Sequence, residues 1–260
     1  MKDRFMTVFV GSLAIGSFFV FWTYASTTTS AALFFPTPLE VFRYFFDSMH
    51  TRIGKYTLPM HTLYSLKRVA VGFGLSSITG VLLGVAMGYS KTINAIIRPL
   101  FNIIRPIPGL AWIPMAILWF GIGETTKHFI IFMGGFANVV LNSYDGTSKA
   151  SPTLIKAAQL LGANKSQVFF HIILPSATPY IFAGLQVSLS TSWMAVLAAE
   201  MISSYEGAGW IINMGMQTGN TLMILVGMVA IAIVGFLLAN LMRIVERRLC
   251  MNRMDSLTLF

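Results

Sequence analysis

The sequence predicts an all-α, polytopic membrane protein with six helical spans, and three observations carry that prediction. Of its 260 residues 55% are hydrophobic and only 10% charged, whereas an ordinary soluble domain carries about 25% charged residues. Several windows reach the roughly 20 apolar residues that a hydrocarbon core of about 30 Å requires, and helices satisfy their own backbone inside it. The 18 basic residues fall unevenly between these windows, as in a membrane protein with one fixed orientation.

The first span is the apolar run 5–24, behind the basic start MKDR. It exceeds the apolar core of a secretory signal, about 7–15 residues, and lacks a clear A-x-A site, which favours an uncleaved span over a signal peptide. Next, PTPLEVFRYFFDSM puts Pro36 and Pro38 at a helix start, with Leu39, Phe42, Phe45, Phe46 and Met49 at helical spacing. This is either an interfacial amphipathic helix or a helix packed on its neighbours.

The other spans are expected at 69–89, 100–120, 129–144, 180–202 and 222–242. In the second, Gly80, Gly84 and Gly88 line one face and permit close backbone approach. In the third, Pro106, Pro108 and Pro114 each remove a backbone donor and invite a kink. The fourth is short and turns polar toward its end. With the N-terminus in the cytoplasm, only six of the 18 basic residues lie outside: Arg43, Arg52, Lys55, Lys67, Arg68 and Lys127. Six spans then return the C-terminus to the cytoplasm as well.

The net charge of +9 reads as loop bias in a membrane protein, and nucleic acid is not an expected partner. A single cysteine, Cys250, permits no intrachain disulfide and no Cys/His ligand cluster. His50, His61, His128 and His171 are scattered without H-E-x-x-H spacing, so neither a metal site nor catalytic residues are expected.

Several span residues are polar enough to meet a solute. Glu200 is a carboxylate in the apolar context VLAAEMI, and such a group is a pathway or gate candidate, with a helix-to-helix hydrogen bond as the alternative. The same span carries Gln186, Ser188, Ser190, Thr191, Ser192 and Trp193, which as a set suggest a water-lined face, although such hydroxyls also glue helices together. Asn138 and Asn142 share a face of the fourth span and join the pathway candidates. Lys67, Arg68 and Arg105 tilt the two ends of the passage toward anions. Gly207, Gly209, Gly215 and Gly219 allow a compact re-entrant or gate loop, and Trp112 and Trp119 read as interfacial anchors.

Between spans four and five lies KAAQLLGANKSQVFFHIILP, residues 156–175, on the cytoplasmic side. A helix over 152–161, stopped near Gly162 to Asn164, and a second ending before Pro175 make a helix-turn-helix outside the bilayer. About 30 residues is long for an idle connector.

Lys156-Ala157-Ala158, Gly162, Ile172 and Leu174-Pro175 resemble the cytoplasmic loop of permease subunits of binding-protein-dependent ABC importers, E-A-A, three residues, G, nine residues, I-x-L-P. The similarity runs from about Pro36 to Arg248. SLKRVAVGF, IPMAILWFGIGE, LAAEMI and GAGW are similar to the nitrate, sulfonate, taurine and bicarbonate branch. Lys156 departs from the family's Glu.

The resemblance implies the type I (MetI-like) permease fold, with an N-terminal helix over 1–35, an external interfacial helix and loop over 36–66, the transmembrane domain over 67–248 and a tail over 249–260. Its loop over 149–175 would dock on an ATPase through Lys156, Ala157, Ala158, Leu161, Gly162 and Asn164. The expected partners are a second copy, cytoplasmic ABC ATPases, an extracytoplasmic binding protein and the bilayer of a bacterial inner membrane.

No G-x-x-x-x-G-K-[ST] is present, so ATP and Mg2+ are expected in the ATPase and no cofactor in this chain. The cargo implied is a small anion, with an osmolyte or a vitamin or pyrimidine precursor as the alternative. A stand-alone transporter or channel needs coupling carboxylates, which the spans barely supply beyond Glu200, and a membrane enzyme needs a catalytic pair.

Overall fold

Apolar stretches without strand alternation fold into helices throughout, in a computed structural model that describes residues 2–28 and 35–254. Met1, the 29–34 part of the expected N-terminal unit and the 255–260 part of the expected tail lie outside the described residues. Helix α1 (Lys2–Thr28) leaves most of its described side chains exposed, apart from a contact near its end, where the Trp22 indole donates to the Pro36 carbonyl at 3.1 Å.

Helix α2 (Pro38–His50) opens on a reciprocal cap: the Glu40 carboxylate accepts from the Thr37 backbone, and the Thr37 hydroxyl accepts from the Glu40 backbone. The backbone donor at Thr37, then its hydroxyl, hold the Glu40 carboxyl below its ordinary pKa. Its inner face packs on neighbours and its outer face leaves apolar residues exposed. Val41 and Phe45 pack into a core with Leu58, Ile211 and Val226, while Leu39, Phe42 and Phe46 stay exposed. A two-residue hairpin (β1, Arg52–Ile53; β2, Tyr56–Thr57), turned by Gly54, leads into the next helix.

Three helices form the core: α3 (Leu58–Tyr89), α6 (Glu124–Ser148) and α9 (Leu174–Ser203). Helix α3 begins 11 residues before the expected span because Lys67 and Arg68 continue the helix and do not break it. Its glycine face meets α6. A Cβ on Gly80 would sit 2.8 Å from Val139 Cβ, on Gly84 2.5 Å from the Val140 carbonyl, and on Gly88 2.6 Å from Thr147 Cβ.

Because the Gly84 neighbour is backbone and cannot rotate away, Gly84→Ala is expected to cost about 1–3 kcal/mol through overpacking. Gly74 sits on the same helix with nothing within 4 Å of an added Cβ, so Gly74→Ala should instead gain about 0.5–1 kcal/mol in helix propensity. Thermal unfolding of both variants in detergent checks the pair, and the sign must differ.

The expected third span is not one helix. Helix α4 (Lys91–Ile104) ends at Arg105, and after a short 3-10 turn (Gly109–Trp112) α5 (Ile113–Phe120) leaves at 84°. Pro106 and Pro108 stand in the break and donate no backbone hydrogen bond, so the helix cannot continue through them. Among the described residues four helices are long and apolar enough to cross a membrane, at 9–28, 58–89, 165–202 and 221–248, and the bent pair is a fifth if counted as one span. The expected fourth span, α6, is 25 residues long but carries Asn138, Asn142, Tyr144 and Asp145 and falls short of that apolarity. Flanking by α3 and α9 supplies the protein cover that a polar helix needs at membrane depth.

The loop that holds KAAQLLGANKSQVFFHIILP starts with α7 (Pro152–Leu160), close to its expected end. The second expected helix does not stop before Pro175. Helix α8 (Lys165–Val168) runs through a π-helical turn (Phe169–Ile173) straight into α9. The Leu174 N–H donates to the Phe169 carbonyl, five residues back, and this wider turn absorbs the donor that Pro175 lacks. The glycine-rich segment expected as a gate loop is mostly helix: α10 (Ala208–Thr218) packs on α11 (Thr221–Met254) and ends at left-handed Gly219.

Candidate functional site

Two features stand apart from ordinary packing, one at each end of the bundle. The first is a buried charge cluster where the start of α3, the start of α6 and the end of α9 converge. The Arg68 side chain is 3% exposed and its guanidinium is saturated. Nε and Nη2 donate to the two Glu124 carboxylate oxygens at 2.8 Å each, a bidentate fork. Nη1 donates to Glu200 Oε1 at 2.8 Å and the Glu206 carbonyl at 2.9 Å, and Nη2 reaches Glu206 Oε1 at 3.2 Å.

Glu200 is fully buried. Its carboxylate also accepts from the Ser65 hydroxyl at 2.9 Å and the Gly209 N–H at 3.0 Å. Ser65 in turn accepts from the Ala208 N–H, and His61 Nδ1 accepts from the Gly207 N–H at 3.0 Å. With Nδ1 accepting, the His61 proton lies on Nε2, which donates to the Ile53 carbonyl at 2.9 Å. The whole 206–209 segment is thus hydrogen-bonded to α3 and α9. Gly207 has φ +117°, and a Cβ there would lie 2.3 Å from the Glu200 carboxyl carbon, so both conformation and space demand glycine. Lys127 donates to Glu124 at 2.7 Å and closes the cluster.

The second feature is the loop at the opposite end, beyond the C-terminus of α6. Ser151 caps α7, and Asn164 and Gln167 form a reciprocal cap on α8. Between them Gly162 takes φ +86°, with open space around an added Cβ. Ala150, Val168 and Ile173, with Ile155, Ala158 and Ala163 against them, give this loop an apolar core of its own. Leu160 and Leu161 instead point outward, each 89% exposed, beside exposed Lys156 and Ala157. The capped loop thus presents two bare leucines outside the bundle.

Residues 77–250, more than half of the chain, match the family described as binding-protein-dependent transport system inner membrane component. The chain belongs to this family. The permease is 35% identical over 252 residues to the taurine transport system permease protein TauC of Escherichia coli, covering 95% of this chain and 90% of that one. It is 32% identical over 243 residues to the nitrate import permease protein NrtB of Synechocystis, covering 90% and 86%. Among solved structures, an inward-facing MetNI methionine ABC transporter matches with TM-score 0.56 at 19% identity over 75% of this chain and 98% of that chain, a likeness of fold. The permease is therefore a multi-pass inner-membrane transport component with the MetI-like helical fold.

The permease separates its expected pathway residues into two groups. Ser190 lies on the exposed face of α9 with Ala183, Val187 and Met194, and half-buried Gln186, Asn138 and Asn142 lie alongside. Asn138 donates to Thr191 Oγ1 at 3.2 Å, and Asn142 donates to the Asn138 carbonyl. Trp193 and Glu200 belong elsewhere. Trp193 is buried and donates to the Ile231 carbonyl on α11, and Glu200 fastens the 206–209 segment rather than lining a passage.

Nor is Arg68 a free cation for an anion, since three carboxylates take its charge. Sequence reasoning named Arg68 and Glu200 separately and missed their pairing with Ser65, Glu124 and Glu206. The available signal was that two opposite charges in apolar spans must find each other.

Proposed function

We propose that this permease is the transmembrane subunit of an ATP-driven importer that passes a small anion of the sulfonate, taurine, nitrate or bicarbonate type. Two copies enclose the pathway along the exposed α9 face, with Ser190, Gln186, Asn138 and Asn142 toward it. Both termini are cytoplasmic. A cytoplasmic ABC ATPase holds ATP and Mg2+ and docks on Lys156, Ala157, Ala158, Leu161, Gly162 and Asn164, while an extracytoplasmic binding protein delivers the cargo at the Arg68 end.

The observation that carries this reading is the unbroken helical line from the outward loop into the core: α8, the π turn and α9 are one element of 38 residues to Ile202. A displacement imposed at Leu160 and Leu161 crosses the capped 162–164 turn and then reaches α9 along one continuous helix. Such rigid transmission is what a two-state coupled machine needs. The names of relatives, taurine and nitrate permeases, support the anion class.

Uptake tests it. Proteoliposomes holding the chain, its co-encoded ATPase and binding protein are offered taurine, methanesulfonate, nitrate and bicarbonate, with and without internal ATP. ATP-dependent accumulation of one of these anions is expected. Accumulation of none, or equal flux without ATP, contradicts it. In the same assay Lys156→Glu should lower uptake if the native ATPase groove matches a lysine.

A further inference from the structure

We propose that Arg98 and Arg105, with Asn102 and the Tyr144 hydroxyl, form an oxyanion-binding site at the loop end of the permease. Along α4 the polar residues Lys91, Asn94, Arg98, Asn102 and Arg105 recur at steps of three and four, one helical stripe with three cations. No carboxylate occurs in 91–105. The stripe meets the C-terminal half of α6 around a cavity of about 120 Å³ lined by Arg98, Asn102, Arg105, Tyr144 and Asp145 over an apolar floor of Met87 and Phe101. That is room for roughly four waters, enough for one small oxyanion.

The charges do not cancel within it. Asp145 is bonded to Lys149 at 3.0 Å. Arg98 stacks over the Tyr144 ring at 5.7 Å, with Nη1 3.4 Å from the hydroxyl. Arg105 has no side-chain hydrogen bond or ion pair among the described residues, in contrast to saturated Arg68 at the other end. Arg105 also lines a second cavity of about 130 Å³, apolar and bounded by Leu83, Ile104, Met133 and Phe136, so it stands where a polar chamber meets an apolar one. Two planar guanidinium forks, an amide and a phenol around one small space match the donor demand of a sulfonate, a phosphate or a similar oxyanion. The donors can serve a transported anion released at this end or an anionic lipid headgroup. The placement on the exit side rests on the transport reading above.

Arginine labelling tests the site. The full chain in phosphatidylcholine nanodiscs is treated with phenylglyoxal, and the modified arginines are located by mass spectrometry in sodium methanesulfonate and in sodium chloride of equal ionic strength. With the anion at about four times its Kd, labelling of Arg98 and Arg105 should slow about fivefold, while exposed Arg43 and Arg52 stay unchanged; Asn102→Ala should weaken the protection. Protection in phosphatidylglycerol nanodiscs without methanesulfonate assigns the donors to a lipid headgroup. Equal labelling of Arg98 and Arg105 in both salts and both lipids overturns the site. If that result accompanies intact ATP-dependent uptake, the site fails and the transport reading stands.

Discussion

Arg68→Ala is expected to destabilise the permease by about 3–5 kcal/mol, the cost of breaking a buried ion pair by removing one partner. The substitution leaves Glu200, fully buried, without its cation, and it frees Glu124 and Glu206 to repel each other. Arg68→Lys should recover only part, because one ammonium cannot span both Glu124 oxygens and still reach Glu200. Thermal unfolding in detergent measures each, and a double cycle with Glu200→Gln should show strong coupling between the two positions. If Arg68→Ala unfolds no earlier than Val71→Ala, a neighbour on the exposed side of the same helix, the clamp is not structural.

Leu160→Asp together with Leu161→Asp is expected to leave folding and membrane insertion unchanged and to abolish coupling to the ATPase. Both side chains are 89% exposed and touch none of the loop's own core. Central apolar anchors of an interface contribute about 2 kcal/mol or more each, roughly 30-fold in affinity. Gly162→Ala is a separate test of the turn: φ +86° costs an alanine about 1–2 kcal/mol. Its neighbourhood is open, so strain of the turn rather than a clash disturbs docking.

Much of this was legible in the sequence because membrane helices announce themselves. Five of the six expected windows became continuous helix and the third a bent helical pair, and the motif at Lys156 to Gly162 fell on a capped loop outside the bundle. What was not legible depended on partners distant in sequence. Lys67 and Arg68 stood just outside the expected span, yet Arg68 is inside the helix, and only the meeting with Glu124 and Glu200, 56 and 132 residues away, makes that tolerable. The 84° break at Pro106 and Pro108 was foreseen as a kink but not as two separate helices. Pro175 looked like a stop signal, and a π turn carried the helix through it. Trp193 read as a pathway residue from its polar neighbours, and its burial came from α11, which no local pattern reveals.

In the proposed function an ATPase drives this permease through the 152–164 loop. Purifying the tagged chain from its native membrane and measuring ATP hydrolysis bound to it tests that claim most directly. A P-loop ATPase should be recovered in equal amount with the native chain and lost with Leu160→Asp/Leu161→Asp, while the doubly substituted chain still inserts. Undiminished ATPase on that variant, or solute flux through liposomes holding the chain alone without ATP, would contradict the account.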